Sequence, residues 1–196
     1  MQLFLKRSID LLLAASLLPV LSPLMGAIAL LVKATSPGDA LFRQTRVGKD
    51  GRPFTIYKFR TMVNAAPPPE LDPHPTRLGA LLRRSSLDEL PQLFNIVKGD
   101  MSFVGPRPDL PRHVEKYTPF QRQRLQMRPG ITGWAQVNGR NQIPWEERIE
   151  LDVDYVRSWS LLRDLGIVFS TIGVVLAGRG ADSGRKGSGS WEKRSI

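Results

Sequence analysis

Between Leu11 and Val32 the chain runs LLLAASLLPVLSPLMGAIALLV without a charged position. As one straight helix this run would be ~33 Å long, close to the thickness of a bilayer's hydrocarbon core. Pro19 and Pro23 interrupt it. Each lacks a backbone donor and disfavours the helical conformation of its predecessor. Divided there, each half is about 11 residues or ~16 Å, too short to cross. Lys6 and Arg7 precede the run and Lys33 follows it. Positive charge at both ends favours holding both on the cytoplasmic side. The pattern predicts a re-entrant helix–break–helix over residues 1–35, inserted in one leaflet. Ser16 and Ser22 would bond carbonyls freed near the break. A spanning anchor and a secretory signal peptide are the rival readings. The second fits worse, because the run is long and no convincing cleavage site precedes Lys33.

Beyond the run, Leu41 to Val47 and Phe54 to Val63 read as strands joined by the turn-rich Gly48 to Arg52. A period of two puts Ile56, Lys58, Arg60 and Met62 on one face. Lys58 and Arg60 then point the same way, either on a solvated face or as a pair of phosphate ligands. Asn64 to Pro75 is proline-rich and reads as a loop. Thr76 to Arg84 reads as a helix capped by Thr76. Thr118-Pro119 opens another, which Pro129-Gly130 ends, and Ile131 to Val137 reads as a strand. Trp145 to Leu162 is a charged helical pattern. Leu165 to Ala177 is apolar but too short to span, so it is a core or interfacial helix. From Gly178 the chain is rich in Gly, Ser and cations, and disorder is expected. The fold class is α+β, mainly helical with a short β-hairpin. The expected divisions are 1–35, a folded core over 36–177 and a flexible basic tail over 178–196.

The 196 residues carry 28 Lys+Arg against 18 Asp+Glu, a formal charge of +10. Such a balance calls for an anionic partner: nucleic acid, acidic lipid or a phosphorylated substrate. Nucleic acid fits poorly, because the chain lacks an aromatic–basic stacking motif and carries the long apolar run. There is no cysteine, and His74 and His113 are the only histidines. A disulfide scaffold, a Cys-ligated zinc, a Cys nucleophile and a Ser-His triad are thereby set aside.

Ser85-Ser86-Leu87-Asp88-Glu89-Leu90-Pro91-Gln92 carries the most chemistry. Ser86-x-x-Glu89 matches a capping box, so a helix is expected to start here. A helix start attracts anions and would keep Asp88 ionised. Adjacent helical residues diverge by ~100°, so Asp88 and Glu89 should serve different roles. One would attack or bind metal, and the other would orient substrate or move a proton. Arg107 stands between Pro106 and Pro108, on a loop stiffened by both. It either faces water or offers its fork to phosphate oxygens. Arg83, Arg84 and Arg140 are further candidate cations.

These residues bring the chain to a family. KRSIDLLLA, Ser22-Pro23, YKFRTM at 57–62, RRSSLDELPQLFNIVKGDMSFVGPRP at 83–108, RPGITGWAQVNGRN at 128–141, Trp145 to Arg148 and LDVDYV carry the resemblance. With these motifs the chain resembles the monotopic phosphoglycosyl transferases, bacterial sugar transferases that initiate glycan assembly on polyprenyl phosphate. The resemblance implies a sugar-1-phosphate transferred from a UDP-sugar to polyprenyl (undecaprenyl) phosphate, with release of UMP. It implies Asp88 as nucleophile forming an aspartyl phosphosugar, with Glu89 as its partner. Lys58, Arg60, Arg83, Arg107 and Arg140 would surround the diphosphate, and Mg²⁺ would sit on Asp88. Ser22 and Pro23 would break the re-entrant helix, 36–177 would be the catalytic core, and the protein would lie on the cytoplasmic face of the inner membrane. The partners implied are UDP-sugar, polyprenyl phosphate and membrane lipid, without nucleic acid. Homo-oligomers, the sugar, the polyprenol length and the glycan pathway are left open. A catalytically silent scaffold of a glycan assembly complex is the rival class, and the intact Asp88-Glu89 pair argues against it.

Overall fold

The computed structural model describes residues 2–62, 74–139 and 143–176. The expected proline-rich loop (for the most part), Arg140 and the basic tail lie outside the described residues. The protein is mainly helical. Helix α1 spans Gln2–Thr35. Strands β1 (Leu41–Val47) and β2 (Pro53–Phe59) follow. Then come α2 (Arg77–Ser85), a 3₁₀ turn over Leu87–Glu89 and α3 (Gln92–Lys98). Strand β3 (Ser102–Val104) precedes the short α4 (Pro111–Val114) and α5 (Pro119–Arg122). Strand β4 (Gly130–Thr132), α6 (Trp134–Val137), α7 (Trp145–Arg157) and α8 (Leu161–Leu176) complete the order.

Helix α1 is helical across both prolines, so no unwound segment divides it where the sequence predicted a break. Pro23 has no N–H to offer the Pro19 carbonyl. The Ser22 hydroxyl donates to that oxygen instead, at 2.9 Å. The expectation for Ser22 is met in this form. Ser16 is different: its hydroxyl donates to the Leu12 carbonyl at 2.7 Å, an oxygen that neither proline frees. One stripe of α1 is buried: Lys6, Asp10, Ala14, Met25, Ile28 and Val32. Their spacing is that of a single helix face. Most of the remaining surface is exposed leucine, valine and phenylalanine.

Strands β1 and β2 form the expected antiparallel hairpin, in a register from Leu41 opposite Phe59 to Val47 opposite Pro53. Asp50 and Gly51 turn it in the left-handed region, at φ 57° and 77°. The second strand ends at Phe59 rather than Val63: the Arg60 N–H still bonds the Ala40 carbonyl, but beyond it the Thr61 carbonyl takes the Thr76 N–H and Met62 pairs with Pro75. The predicted strand over Ile131–Val137 also divides. β4 pairs in parallel with β3 through Ser102–Gly130 and Val104–Thr132, and α6 starts directly after it. At Gly130 a Cβ would lie 2.1 Å from the Gly105 nitrogen, so only glycine permits this approach. The predicted helix over Trp145–Leu162 breaks between α7 and α8, where the Ser158 N–H and hydroxyl both bond the Asp154 carbonyl.

Four buried clusters tie these elements together. Ala14 of α1 packs with Ile56, Leu93, Ile96 and Met101. Met25, Ile28 and Val32 pack with Phe59 and Leu82. Val47, Val114, Tyr117, Ile149 and Val153 form a third cluster, and Val104, Met127, Tyr155 and Ile167 a fourth. Leu87 of the 3₁₀ turn and Leu90 just after it pack against the second cluster, and Val47 and Tyr117 of the third line a recess with Pro106, Arg107 and Pro108.

Candidate active site

The Leu87–Glu89 turn does not start the helix in the predicted way. Ser86 is left-handed, at φ 57° and ψ 15°, and makes no side-chain cap. It ends α2 instead, its N–H bonding the Arg83 carbonyl at 3.3 Å. An N-cap needs extended backbone, so the capping box cannot form. Glu89 is thereby released from Ser86 and taken by two cations. Lys58 Nζ, from β2, lies 2.7 Å from Glu89 Oε1. Arg107 Nη2, from the proline-flanked loop, lies 3.0 Å from the same oxygen. Three distant segments of the chain therefore meet on one carboxylate.

Asp88 is buried beside this pair, at 8% exposure. It is not pushed down in the way a helix start would act. Burial, and then the charge of Glu89, raise its pKa to about 6, against the opposing charges of Lys58, Arg107 and Arg83. Burial works on Glu89 in the same upward sense, but the charges and hydrogen bonds of Arg107 and Lys58 win and hold it at about 2. Two adjacent carboxyls thus have different environments, which separates their chemical roles. Glu89 is a fixed anion that organises two cations. Asp88, with its pKa raised to about 6, is the carboxyl whose charge is less tightly held by cations. Burial, reinforced by Arg107, lowers the pKa of Lys58, while the neighbouring Glu89 charge raises that of Arg107.

Of the expected site residues, Lys58, Asp88, Glu89 and Arg107 come together. Arg83 joins them through its field on Asp88, and its Nη1 is 3.5 Å from Met62 Sδ. Arg60 does not join them. Strand β2 ends one residue before it, and its guanidinium turns to the Ser36 and Pro37 carbonyls, both at 2.7 Å. It fastens the link between α1 and β1 rather than facing a phosphate. Ser22 and Pro23 lie on α1, on the exposed side.

Other residues were not anticipated from the sequence. Asn95, fully buried on α3, accepts from the Tyr57 N–H at 3.1 Å and donates to the Thr55 carbonyl at 2.7 Å. It aligns β2, and so Lys58, against the helix that follows Asp88. Arg7 of α1 donates to the Ile96 and Val97 carbonyls at 2.6 and 3.1 Å, and Asp10 accepts from the Phe103 N–H at 3.1 Å. Beneath the Arg107 loop, Asp109, Tyr117, Arg124 and Asp152 form a buried polar network. For three of them the available signal was a polar residue on an otherwise apolar helix face: Asp10 on α1, Asn95 in LFNIV, Asp152 beside Ile149 and Val153.

Among the described residues no three His, Cys, Asp or Glu side chains gather as a metal site. The hard oxygen donors of the site are Asp88 and Glu89, and Glu89 is already engaged. Asp88 is thus the carboxylate left to offer hard oxygens to a cation such as Mg²⁺, which keeps several waters and needs no protein cage.

Residues 1–178 match the family model described as bacterial sugar transferase, and the chain belongs to that family. A UDP-glucose:undecaprenyl-phosphate glucose-1-phosphate transferase of Escherichia coli is 45% identical over 184 residues, covering 86% of this chain and 39% of that protein. A sugar transferase of Bacillus subtilis named EpsL, itself uncharacterized, is 46% identical over 182 residues, covering 91% of this chain and 90% of its own length. An N-acetylgalactosaminephosphotransferase of Aeromonas hydrophila, acting between UDP-N-acetylgalactosamine and undecaprenyl phosphate by its name, is 44% identical over 190 residues and 45% covered. The chain thus spans less than half the length of two of these relatives and nearly all of the third.

Proposed function

We propose that the protein transfers a sugar-1-phosphate from a UDP-sugar to polyprenyl phosphate through a covalent intermediate on Asp88. The observation that carries this reading is the meeting of Lys58 and Arg107 on Glu89 beside a buried Asp88 whose pKa is raised to about 6. The names of the relatives support a UDP-sugar donor and undecaprenyl phosphate acceptor. They carry different sugars, so family membership leaves the sugar open.

In the first step an Asp88 carboxylate oxygen attacks the sugar-bearing phosphorus. The bond from that phosphorus to the UMP oxygen breaks, and UMP leaves with the electron pair. In the second step a phosphate oxygen of the lipid attacks the same phosphorus. The aspartyl–phosphorus bond breaks, Asp88 recovers its carboxylate and the lipid diphosphosugar departs. Both steps bring an anion to an anion, so cations fixed in advance lower the barrier. Arg107, Lys58 and Arg83 are those cations. Glu89 fixes the first two, so they need not reorganise when charge develops. Asp88 would hold Mg²⁺, which when bound would neutralise phosphate charge.

Helix α1 supports the membrane part of this reading. It is long and apolar enough to cross a bilayer. Yet its buried stripe docks on the catalytic core from Lys6 to Val32. A helix bound along its length to a polar core cannot pass through hydrocarbon without carrying that core with it. Insertion of the exposed apolar faces of α1 and α8 into one leaflet accommodates both facts, and would bring Asp88 near the lipid phosphate. The cytoplasmic face of the inner membrane, where UDP-sugars are made, is the side this reading requires.

Intact-protein mass spectrometry tests the mechanism. The enzyme is mixed with a panel of UDP-sugars and Mg²⁺, without lipid acceptor. A mass gain of one phosphosugar, absent from Asp88→Asn, is expected for the correct donor. Release of UMP only when both substrates are present would replace the covalent route by direct transfer.

A further inference from the structure

The loop that carries Arg107 has all its carbonyls anchored. The Pro106 oxygen accepts from the Gly130 N–H at 3.0 Å and the Asp109 oxygen from the Val47 N–H at 2.9 Å. The Pro108 oxygen accepts from Arg46 Nη1 at 3.3 Å. The Arg107 oxygen accepts from Arg124 Nη2 at 2.7 Å. Pro106 and Pro108 have no N–H of their own, so these acceptor contacts are what fixes the loop. The contact on Arg107 itself comes from a side chain at 6% exposure.

Arg124 is in turn held on several sides. Its Nη2 donates to Asp152, which is 1% exposed. Its Nη1 donates to the Tyr117 hydroxyl at 2.5 Å, and that hydroxyl donates to Asp109 at 2.8 Å. Burying a guanidinium and a carboxylate together is costly, and apolar packing could replace them at little loss of stability. What apolar packing could not supply is a rigid, charged donor aimed at one backbone oxygen. A planar fork with two ends, one on Asp152 and Arg107 and one on Tyr117, supplies it.

We propose that Arg124 is a positioning residue for the transfer reaction. Through the Arg107 carbonyl it sets where the Arg107 guanidinium stands on Glu89, and so the geometry of the catalytic pair. The inference rests on the phosphoglycosyl transfer reading above. Arg124 touches neither Glu89 nor Asp88 and acts only through the loop.

A double-mutant cycle tests it, with kcat and KM read from UMP release. The four proteins are the wild type, Arg107→Ala, Arg124→Lys and the double variant. Lysine keeps the charge but cannot reach Asp152, Tyr117 and the Arg107 carbonyl at once. The expected result is a fall of at least tenfold in kcat for Arg124→Lys with KM changed less than threefold. In the Arg107→Ala background the same change should lower kcat less than twofold further. Equal losses in both backgrounds, or no loss in the first, overturn the proposal. If Arg124→Lys does not fold, Asp152→Asn removes the charge that aims Arg124 and enters the same cycle with the same two outcomes. Failure of the transfer reading would be seen separately, as no UMP release by the wild type with any UDP-sugar and polyprenyl phosphate.

Discussion

Lys6 Nζ lies 2.5 Å from Asp164 Oδ2, across 158 positions of sequence, and joins the first turn of α1 to α8. Asp164 also accepts from the Tyr155 hydroxyl at 2.6 Å and the Trp159 indole at 3.1 Å. Both side chains of the pair are nearly buried. Lys6→Met leaves Asp164 buried without its counter-charge, which costs ~3–5 kcal/mol. A second change, Asp164→Asn, removes the orphaned charge and should recover part of that loss. Urea unfolding in detergent measures both. Equal stability of wild type and Lys6→Met would mean that the pair does not hold the two helices.

The raised pKa of Asp88 gives a stability that depends on pH. A carboxyl at about 6 when folded, against an ordinary 3.8, binds its proton more tightly in the folded state. Its effect is therefore to weaken the fold as pH rises from about 4 through about 6. The full difference is worth up to ~3 kcal/mol, at about 1.4 kcal/mol per tenfold change in proton affinity. Asp88→Asn removes it. The variant should be inactive, yet more stable than the wild type at pH 8 and nearly equal at pH 4. Glu89 acts in the opposite sense: held at about 2, it supports the fold above its ordinary 4.5 and loses that support only as pH falls toward 2. Thermal unfolding of both proteins from pH 4 to 8 is the measurement. A stability gap that does not widen with pH would contradict the burial of an ionised Asp88.

Wild-type turnover should follow the same group. The nucleophile is the ionised form, so activity should fall about tenfold for each pH unit below about 6. An acid limb near 4 would assign the essential ionisation to an unperturbed carboxyl instead.

The sequence was informative wherever a local rule decides the outcome. The Leu41–Val47 strand, the Thr76 cap and the hairpin turn follow from alternation, capping and left-handed residues. The site was legible as residue types: Asp88, Glu89, Lys58 and Arg107 stood out before any contact was known. Their partnership was not, because it depends on which loop meets which turn. Ser86 shows the limit most clearly. Its spacing from Glu89 satisfies the capping rule, but the end of α2 claims its backbone, and Lys58, 31 positions away from Glu89, takes the carboxylate instead. Arg60 failed for a related reason, since period-two reasoning holds only while the strand lasts. Lys6 and Arg7 were read as flanking charge, whereas both are spent on docking α1 to the core.

Gly79 sits inside α2, where alanine would normally favour the helix by ~1 kcal/mol. Here a Cβ would stand 2.0 Å from the Thr61 carbonyl oxygen. That carbonyl also receives the Thr76 N–H at 3.0 Å, so it cannot simply move away. Gly79→Ala should therefore destabilise by ~1–3 kcal/mol, the usual range for overpacking, or more. Because Arg83 lies in the last turn of α2, turnover should fall as well. Thermal unfolding and UMP release check the two effects, and a stabilised variant would show that α2 does not press on Thr61.

The orientation of α1 is open to a direct chemical test. The native chain has no cysteine, so each introduced one reports alone. Leu3→Cys and Ala34→Cys lie near the two ends of α1, beyond the buried stripe of Lys6 to Val32. One-leaflet insertion places both on the cytoplasmic side. In spheroplasts, a membrane-impermeant maleimide should then label neither until the cells are opened. Labelling of position 3 from outside would establish a spanning helix. Pro19→Leu with Pro23→Leu should shift α1 toward that state, because both missing backbone bonds are restored and a straight apolar helix is favoured. The docked stripe opposes the shift, since Lys6, Arg7 and Asp10 would each lose a partner in the core. Adding Lys6→Met to the proline pair weakens that opposition, so the triple variant should be labelled from outside more than the double.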